Sequence, residues 1–352
     1  GSRQAEHDPQ VDALVQRESE RLGYARRRIG TEEILERCLL ALVNEGAKIL
    51  EEKIAANAHD IDLVYLNGVP SFVALPHLGA GDRPVLGHVH ELEFALRRSL
   101  PVDCAGLLQR PDRYLAVSAA VADNLVDRHD VDRARVAVHH GFVDDALAVP
   151  AAGADGLRRS LGIPDDAPVG GAMGDVIWRK GPDLFLALAA ALAGTDTGRP
   201  APHFVWVGGA PGRGAWRETI ADLDQRGLGD HVHLVAEQEQ PADWYHLFDL
   251  FVLTSREDPF PLVALEAAQA GVPVVAFDQG GVPELLAVPG EPAAGVLVPP
   301  LDVAAMADAV GELLGARDVR DALGDAGSKR VAAHHTTAVA APALLAELEV
   351  LW

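Results

Sequence analysis

Short apolar runs alternate with amphipathic segments along most of this chain. The first series predicts four strands, at Leu63–Leu66, Val85–His90, Tyr114–Ser118 and Val136–His139. Between the last two strands, the amphipathic segment Ala119–Arg128 predicts a helix. The second series predicts five strands, at Val169–Met173, Phe204–Val207, Val232–Val235, Leu250–Thr254 and Val274–Phe277. This alternation is typical of parallel sheets covered on both faces, so we expect an α/β protein with doubly wound sheets.

A stretch of small and polar residues separates the two series. Residues 144–167 are rich in Ala, Pro, Gly and Asp, which indicates an interdomain linker followed by a short helix. We expect a first domain at 1–150, a second at 151–336 and a final helix at 337–352. The chain begins in charged helical sequence with Thr31 as an N-cap, and only about four strands precede the linker. The first βαβ unit of the first domain is therefore expected to be absent or divergent.

Composition narrows the class of partner. The 352 residues are 49% hydrophobic and 23% charged, as in ordinary soluble proteins, and the net charge is −22. Nucleic acids and anionic membranes require clustered positive charge, which argues against both as the main partner. Basic clusters at 26–28 and 97–98 could meet a membrane-bound acceptor, but solvated helix faces are the simpler interpretation. Cys38 and Cys104 lack metal spacing, and no apolar run reaches the roughly 18–20 residues of a membrane span, so we expect a reduced, cytoplasmic protein.

The segment 252–284 carries the most informative chemistry. An apolar strand runs into a polar loop that ends at Asp258, and a helix follows whose first turn holds Pro261. A helix N-terminus presents free N–H groups and the positive end of its dipole, which favours an anion. Asp258 and Glu266 flank this position, and a Gly280-Gly281 turn follows the next strand. Together these residues predict a pocket for a phosphorylated ligand whose hydroxyl groups are held by carboxylates.

The same stretch resembles the C-terminal domain of the family 4 retaining glycosyltransferases of the GT-B fold. The matching residues are Asp258-PFPLVAL-Glu266, GVPVV at 271–275 and GGVPE at 280–284. The resemblance covers roughly residues 60–350 and implies two Rossmann-like domains facing a central cleft, with the final helix packing back on the first domain. It also implies transfer of a sugar from UDP-sugar or GDP-sugar to an acceptor hydroxyl, with retention and with no metal or other cofactor. The acceptor would be a small molecule or glycan, in polysaccharide, glycoconjugate or specialised-metabolite biosynthesis.

By this resemblance, several residues would bind the sugar donor. Lys180 stands where the family has the lysine that neutralises the donor diphosphate, and a positioned ammonium can stabilise that leaving group without a metal. Many family members have an Arg directly after a glycine at the position that Asp175 takes in this chain. Arg179 is the expected substitute for that Arg. Glu266 would accept hydrogen bonds from both ribose hydroxyls, which suits the paired acceptors of a carboxylate.

Other matching positions lie around the transferred sugar. Asp258 takes the place of the first Glu of the family motif, close to that sugar. Phe260, Leu262 and Val263 would offer backbone N–H groups to the phosphates. His90 would face the donor sugar from across the cleft.

Three further features have weaker interpretations. His88 lies two residues before His90, on the same face of the strand, and could compete for its role. The segment GGAPGRG at 208–214 lacks the spacing of a dinucleotide motif, and Gly209 is a candidate nucleotide contact in a permissive loop. The sequence at 139–141, His-His-Gly, indicates a hinge turn and no metal site, because no third ligand has suitable spacing.

Two alternatives to a transferase remain open from the sequence. A noncatalytic GT-B subunit that binds a nucleotide or a partner enzyme would fit the incomplete first domain and Asp175. A sugar-nucleotide epimerase of similar fold would need no acceptor. The residues at 180, 258 and 266 favour a transferase, and the sequence predicts no oligomeric state.

Overall fold

The computed structural model describes residues 63–77, 83–100, 102–144, 154–193 and 200–350. Within these ranges the strands are β1 Val64–Asn67, β2 Val85–Val89, β3 Arg113–Ala116, β4 Val136–Val138, β5 Val169–Met173, β6 His203–Val207, β7 Val232–Val235, β8 Leu250–Leu253, β9 Val274–Phe277 and β10 Gly295–Val298. The α-helices are α1 Glu93–Ser99, α2 Ala119–His129, α3 Ala154–Ser160, α4 Pro182–Ala193, α5 Trp216–Gln225, α6 Ala242–Tyr245, α7 Leu262–Gln269, α8 Val282–Leu286, α9 Val303–Gly315, α10 Arg317–His334 and α11 Thr337–Glu349. Short 3-10 helices lie at Val69–His77, Val102–Gln109, Arg133–Arg135 and Trp178–Lys180.

The strands form two parallel sheets, which confirms the predicted α/β class. The first sheet has the order β1-β2-β3-β4, and we call it with its helices the first lobe. The second has the order β10-β9-β8-β5-β6-β7 and forms the second lobe. Its strand order reverses between β5 and β8, and loops that follow strands on either side of such a switch point leave a crevice at the carboxyl edge.

The nine predicted strands are confirmed, each within two residues of its predicted ends. One strand, β10, was missed. Its apolar run has only four residues and Pro299 and Pro300 follow it directly, which is typical of a loop. Because β10 pairs only with β9 at the sheet edge, it tolerates the neighbouring prolines.

Ser118 corrects the predicted end of β3. This residue is not in the strand, because its side-chain oxygen accepts a hydrogen bond from the N–H of Val121 at 3.1 Å and caps α2. A serine at this position satisfies one of the free N–H groups of the first turn. The predicted helix around Thr31 and residues 145–153 of the predicted linker lie outside the described residues, whereas the short helix after the linker is present as α3.

The end of the chain contacts both lobes. Helix α10 packs against α7 of the second lobe. Thr336 then forms a parallel bridge with Val143, and α11 reaches the first lobe, where the Nε2–H of His139 donates to the carbonyl of Ala340 at 3.1 Å. No helix among the described residues is both long and apolar enough to cross a bilayer.

Candidate functional site

A cavity of about 620 Å³ lies where the carboxyl ends of the two sheets face each other. Seven of the nine residues predicted for the site line this cavity: His90, Arg179, Lys180, Asp258, Phe260, Leu262 and Val263. The first lobe adds Tyr65, Asn67, His88, Glu91, His140 and Phe142. Charge on the second-lobe wall therefore faces hydroxyl, amide, imidazole and carboxyl groups on the first-lobe wall.

Lys180 and Asp258 form an ion pair at the switch point of the second sheet. Lys180 follows β5 and Asp258 follows β8, and these strands are neighbours in the sheet. The Nζ of Lys180 lies 2.7 Å from Oδ2 of Asp258, which also accepts from Oγ of Ser255 at 2.9 Å. Asp258 is only 3% exposed, so water screens the pair weakly. Arg179, beside Lys180, donates to the carbonyl of Glu257 at 3.0 Å.

The Gly280-Gly281 pair explains the position of Asp258. Gly280 has a left-handed backbone with φ of 60°, and the N–H of Gly281 donates to the carbonyl of Asp258 at 3.1 Å. A Cβ on Gly280 would overlap the carbonyl oxygen of Asp258, and one on Gly281 would overlap that of Pro259. Glycine is therefore required for the loop after β9 to lie on the loop after β8.

Helix α7 points its first turn at the same cavity. Its first residue is Leu262, so Pro261 is the N-cap and directly precedes the helix, whereas the sequence predicted it within the first turn. Within the described part of the chain, the N–H groups of Leu262 and Val263 have no protein acceptor. Unpaired N–H groups at a helix start are the usual partners of phosphate oxygens.

His90 lies one residue beyond the end of β2. Its Nε2 donates to Oδ1 of Asn67 at 2.7 Å, and its backbone N–H donates to Glu91 at 2.9 Å. Burial lowers the pKa of His90 below its ordinary value, so the ring is neutral near pH 7 and Nδ1 is left as an acceptor. His88 lines the same cavity but is only 6% exposed, and burial together with the charges of His90 and His139 lowers its pKa to about 3.

Glu266 and Gly209 do not line the cavity that holds Lys180. Glu266 lies one turn into α7, where it accepts a hydrogen bond from the hydroxyl of Tyr245 at 2.6 Å. Burial raises the pKa of Glu266, and the Tyr245 hydrogen bond opposes this rise. Gly209 lines a second cavity of about 280 Å³ with Asp175, Glu237 and Gln238. Asp175 thus lines this second cavity, whereas Arg179 and Lys180 line the first.

Four polar residues around the site were given no role in it by the sequence reasoning: Tyr245, Glu257, His140 and Glu284. Tyr245 orients Glu266 from α6, and the two carboxylates contact the first lobe. Each acts through a partner distant in sequence, so local patterns marked the positions of Glu284 and His140 but could not reveal the pairings. Among the described residues, no group of three His, Cys, Asp or Glu side chains is arranged to hold a metal ion.

Two family models match this chain. The model for Glycosyltransferase Family 4 matches residues 3–147, and the model for Glycosyl transferases group 1 matches residues 167–316. The matches lie on either side of residues 148–166, within the predicted linker region.

The chain is similar to curated proteins named D-inositol 3-phosphate glycosyltransferase. It is 32% identical to the Mycolicibacterium smegmatis protein over 212 residues, which are 59% of this chain and 46% of that protein. It is 32% identical to the Mycobacteroides abscessus protein over 268 residues, 74% of this chain and 55% of that protein. The Xylanimonas cellulosilytica protein is 35% identical over 301 residues, 83% of this chain and 67% of that protein. The chain thus spans about half the length of the first two relatives and two thirds of the third.

Solved structures give the fold. Sucrose-phosphate synthase from Thermosynechococcus elongatus superposes with a TM-score of 0.72 at 24% identity, over 92% of this chain and 80% of that chain. Anabaena HepE in complex with UDP-glucose superposes with a TM-score of 0.72 at 20% identity, over 86% of this chain and 81% of that chain. These likenesses confirm the predicted GT-B fold.

Proposed function

The chain belongs to glycosyltransferase family 4, and we propose that it transfers a sugar from a nucleoside diphosphate sugar to an acceptor hydroxyl group. The observation that carries this proposal is the buried Lys180–Asp258 pair beside the start of α7. A cation, a carboxylate and unpaired backbone N–H groups meet at one wall of a cavity whose other wall is polar. This is the set of groups that a diphosphate leaving group and a sugar require.

In the proposed donor complex, the diphosphate lies between Lys180 and the first N–H groups of α7. The ammonium group and the helix dipole both favour the negative charge that grows on the diphosphate as the bond to the sugar breaks. Glu266 accepts hydrogen bonds from the ribose. Arg179, which lines the Lys180 cavity, adds the second positive charge in place of an Arg at position 175.

We propose that the sugar keeps its anomeric configuration and that no metal takes part. The bond from the anomeric carbon to the diphosphate oxygen breaks, and the acceptor oxygen bonds to the same carbon on the same face. The acceptor proton passes to the departing diphosphate. Asp258 and the neutral ring of His90 bind the sugar hydroxyls from opposite lobes.

UDP-sugar and GDP-sugar are the proposed donors, and UDP has the better support. HepE, which shares the fold, was solved with UDP-glucose and with UDP and glucose. The relatives named D-inositol 3-phosphate glycosyltransferase suggest a polyol or polyol phosphate as a first acceptor to assay.

Donor binding can be tested by thermal shift with UDP, GDP, ADP and TDP. A nucleotide present at about 100 times its dissociation constant should add about 2.7 kcal/mol of stability. We expect UDP or GDP to raise the melting temperature, and we expect Glu266→Ala to abolish that rise because the ribose loses its acceptor. The exposed residue Glu312 on α9 supplies the control variant Glu312→Ala.

The outcomes also separate the alternatives. If none of the four nucleotides raises the melting temperature, the proposed donor site is contradicted. If a nucleotide raises the melting temperature but no sugar is released from UDP-glucose, with water or an acceptor present, a noncatalytic binding subunit is favoured. Release of an epimerised sugar nucleotide would identify an epimerase.

Tyr245→Phe should make nucleotide binding more sensitive to acid. Glu266 binds ribose hydroxyls best when ionised, so affinity falls as the pH drops through its pKa. The Tyr245 hydroxyl lowers that pKa, and its removal raises the pKa further, so the loss of binding moves to higher pH. The measurement is UDP affinity by calorimetry between pH 5 and pH 8. Tyr114→Phe removes a buried hydroxyl from the first lobe, bonded to Leu108, and serves as the control. An equal loss at every pH would show that Tyr245 does not act through Glu266.

A further inference from the structure

Two carboxylates of the second lobe bind the N-termini of two helices of the first lobe. Glu284 accepts the backbone N–H groups of Ala119 at 2.8 Å and Ala120 at 3.2 Å, at the start of α2. Glu257 accepts those of Phe94 at 2.9 Å and Ala95 at 3.2 Å, at the start of α1. We call Glu257 and Glu284 the interlobe carboxylates. Four N–H groups of one lobe are thus paired with two side chains of the other.

Glu284 is held as an anion by its surroundings. It also accepts a hydrogen bond from Nε2 of His140 at 2.8 Å. Burial alone would raise the pKa of Glu284, but the bonds from His140, Ala119 and Ala120 outweigh it and lower the pKa below its ordinary value. Hydrogen bonds to an ionised acceptor are about twice as strong as neutral ones, and a negative charge at a helix start is favoured by the dipole.

The interlobe carboxylates lie beside the residues that shape the second-lobe wall of the cavity. Glu257 directly precedes Asp258, and Glu284 comes three residues after Gly281. The helices that they bind, α1 and α2, follow β2 and β3 of the first lobe. His90 lies between β2 and α1, so a fixed distance between the lobes also fixes the distance from His90 to Asp258.

Ring contacts near the interlobe carboxylates also join the two lobes. The rings of Phe94 and Trp178 contact each other in a tilted arrangement with centres 4.9 Å apart, and those of His140 and Phe260 do so at 4.9 Å. Each of these pairs joins one residue of the first lobe to one residue of the second. The ring contacts alone would allow the lobes to slide, whereas each carboxylate binds only where two N–H groups converge. The carboxylates therefore make the contact between the lobes specific in geometry.

We propose that Glu257 and Glu284 are positioning residues for the reaction: they hold the two lobes in the closed arrangement that brings His90 opposite Lys180 and Asp258. This proposal rests on the proposed glycosyl transfer. In the proposed donor complex the nucleoside diphosphate meets only second-lobe residues, whereas the sugar also meets His90 of the first lobe. The interlobe carboxylates should therefore govern turnover and leave the affinity for UDP unchanged.

The test uses the full chain with Glu284→Ala, Glu284→Gln and Glu257→Ala. In Glu284→Ala we expect amide hydrogen exchange at the start of α2 to rise by about tenfold or more, since two charge-assisted bonds are lost. We expect a larger radius of gyration by X-ray scattering, an unchanged thermal shift with UDP, and turnover of UDP-glucose lowered by about tenfold or more. Glu284→Gln should fall between the wild type and Glu284→Ala, because its amide oxygen still accepts N–H groups but carries no charge. Glu257→Ala should produce the same pattern at α1.

A control variant and three contrary outcomes make the test of the positioning role specific. Glu312→Ala, an exposed change on α9, should match the wild type in every measurement. Unchanged exchange at α2 in Glu284→Ala, or unchanged turnover, would overturn the positioning role. Loss of the UDP shift together with turnover would indicate a general structural role and would also overturn it. If the wild type neither binds UDP nor releases sugar, the proposed transfer is refuted. Amide hydrogen exchange and X-ray scattering would still show whether the carboxylates hold the lobes together.

Discussion

Lys180→Ala is expected to lower the turnover of the nucleotide sugar by about 10²–10³-fold, the effect typical of losing one electrostatic stabiliser of a transition state. Lys180 is the cation paired with Asp258 at the carboxyl edge of β5. Its removal takes away the charge that meets the departing diphosphate. It also leaves the buried Asp258 carboxylate without a cation, which costs stability. Steady-state turnover of UDP-glucose, measured beside thermal unfolding, gives both effects.

Two variants make the Lys180 result specific. Lys329→Ala removes an exposed lysine from α10, outside the lining of the cavity, and should leave turnover unchanged. Lys180→Arg keeps the positive charge and should restore part of the stability without restoring full turnover, because the guanidinium group has a different shape. A folded Lys180→Ala protein with normal turnover would refute the role of this residue.

Gly281→Ala is expected to reduce both stability and turnover. The added Cβ would overlap the carbonyl oxygen of Pro259, so the loops after β8 and β9 must separate. Overpacking of this kind costs about 1–3 kcal/mol. Asp258 lies in the displaced loop, and a shift of about 1 Å in a catalytic group can lower turnover by about 10²-fold. Denaturant unfolding and turnover of UDP-glucose measure the two effects.

Gly229→Ala is the matched control for Gly281→Ala. Neither glycine has a left-handed backbone, and a Cβ on Gly229 meets open space. The control therefore adds the same atom without the overlap and should change neither property. If Gly281→Ala behaved like Gly229→Ala, the close approach of the two loops would not be required for the site.

The sequence by itself determined the two doubly wound sheets and the segment at 252–284. Hydrophobic alternation is a local property, and parallel strands buried on both faces leave apolar runs that are visible without a structure. The pattern also placed Lys180 and Asp258 after predicted strands, and the resemblance to family 4 glycosyltransferases implied their roles at the donor site. The parallel neighbours β5 and β8 then bring these side chains together at one sheet edge.

Only the tertiary structure decided which polar groups meet. The hydroxyl of Tyr245 on Glu266, the ring of His90 on Asn67 and the carboxylate of Glu284 on α2 all join residues more than 20 positions apart. A sequence pattern records no such pairing, because each partner would look equally ordinary on a solvated surface. The edge strand β10 was hidden for a similar reason, since four apolar residues become a strand only when β9 supplies their hydrogen bonds. Local periodicity thus determined the sheets, and packing between distant segments determined the charge and geometry of the site.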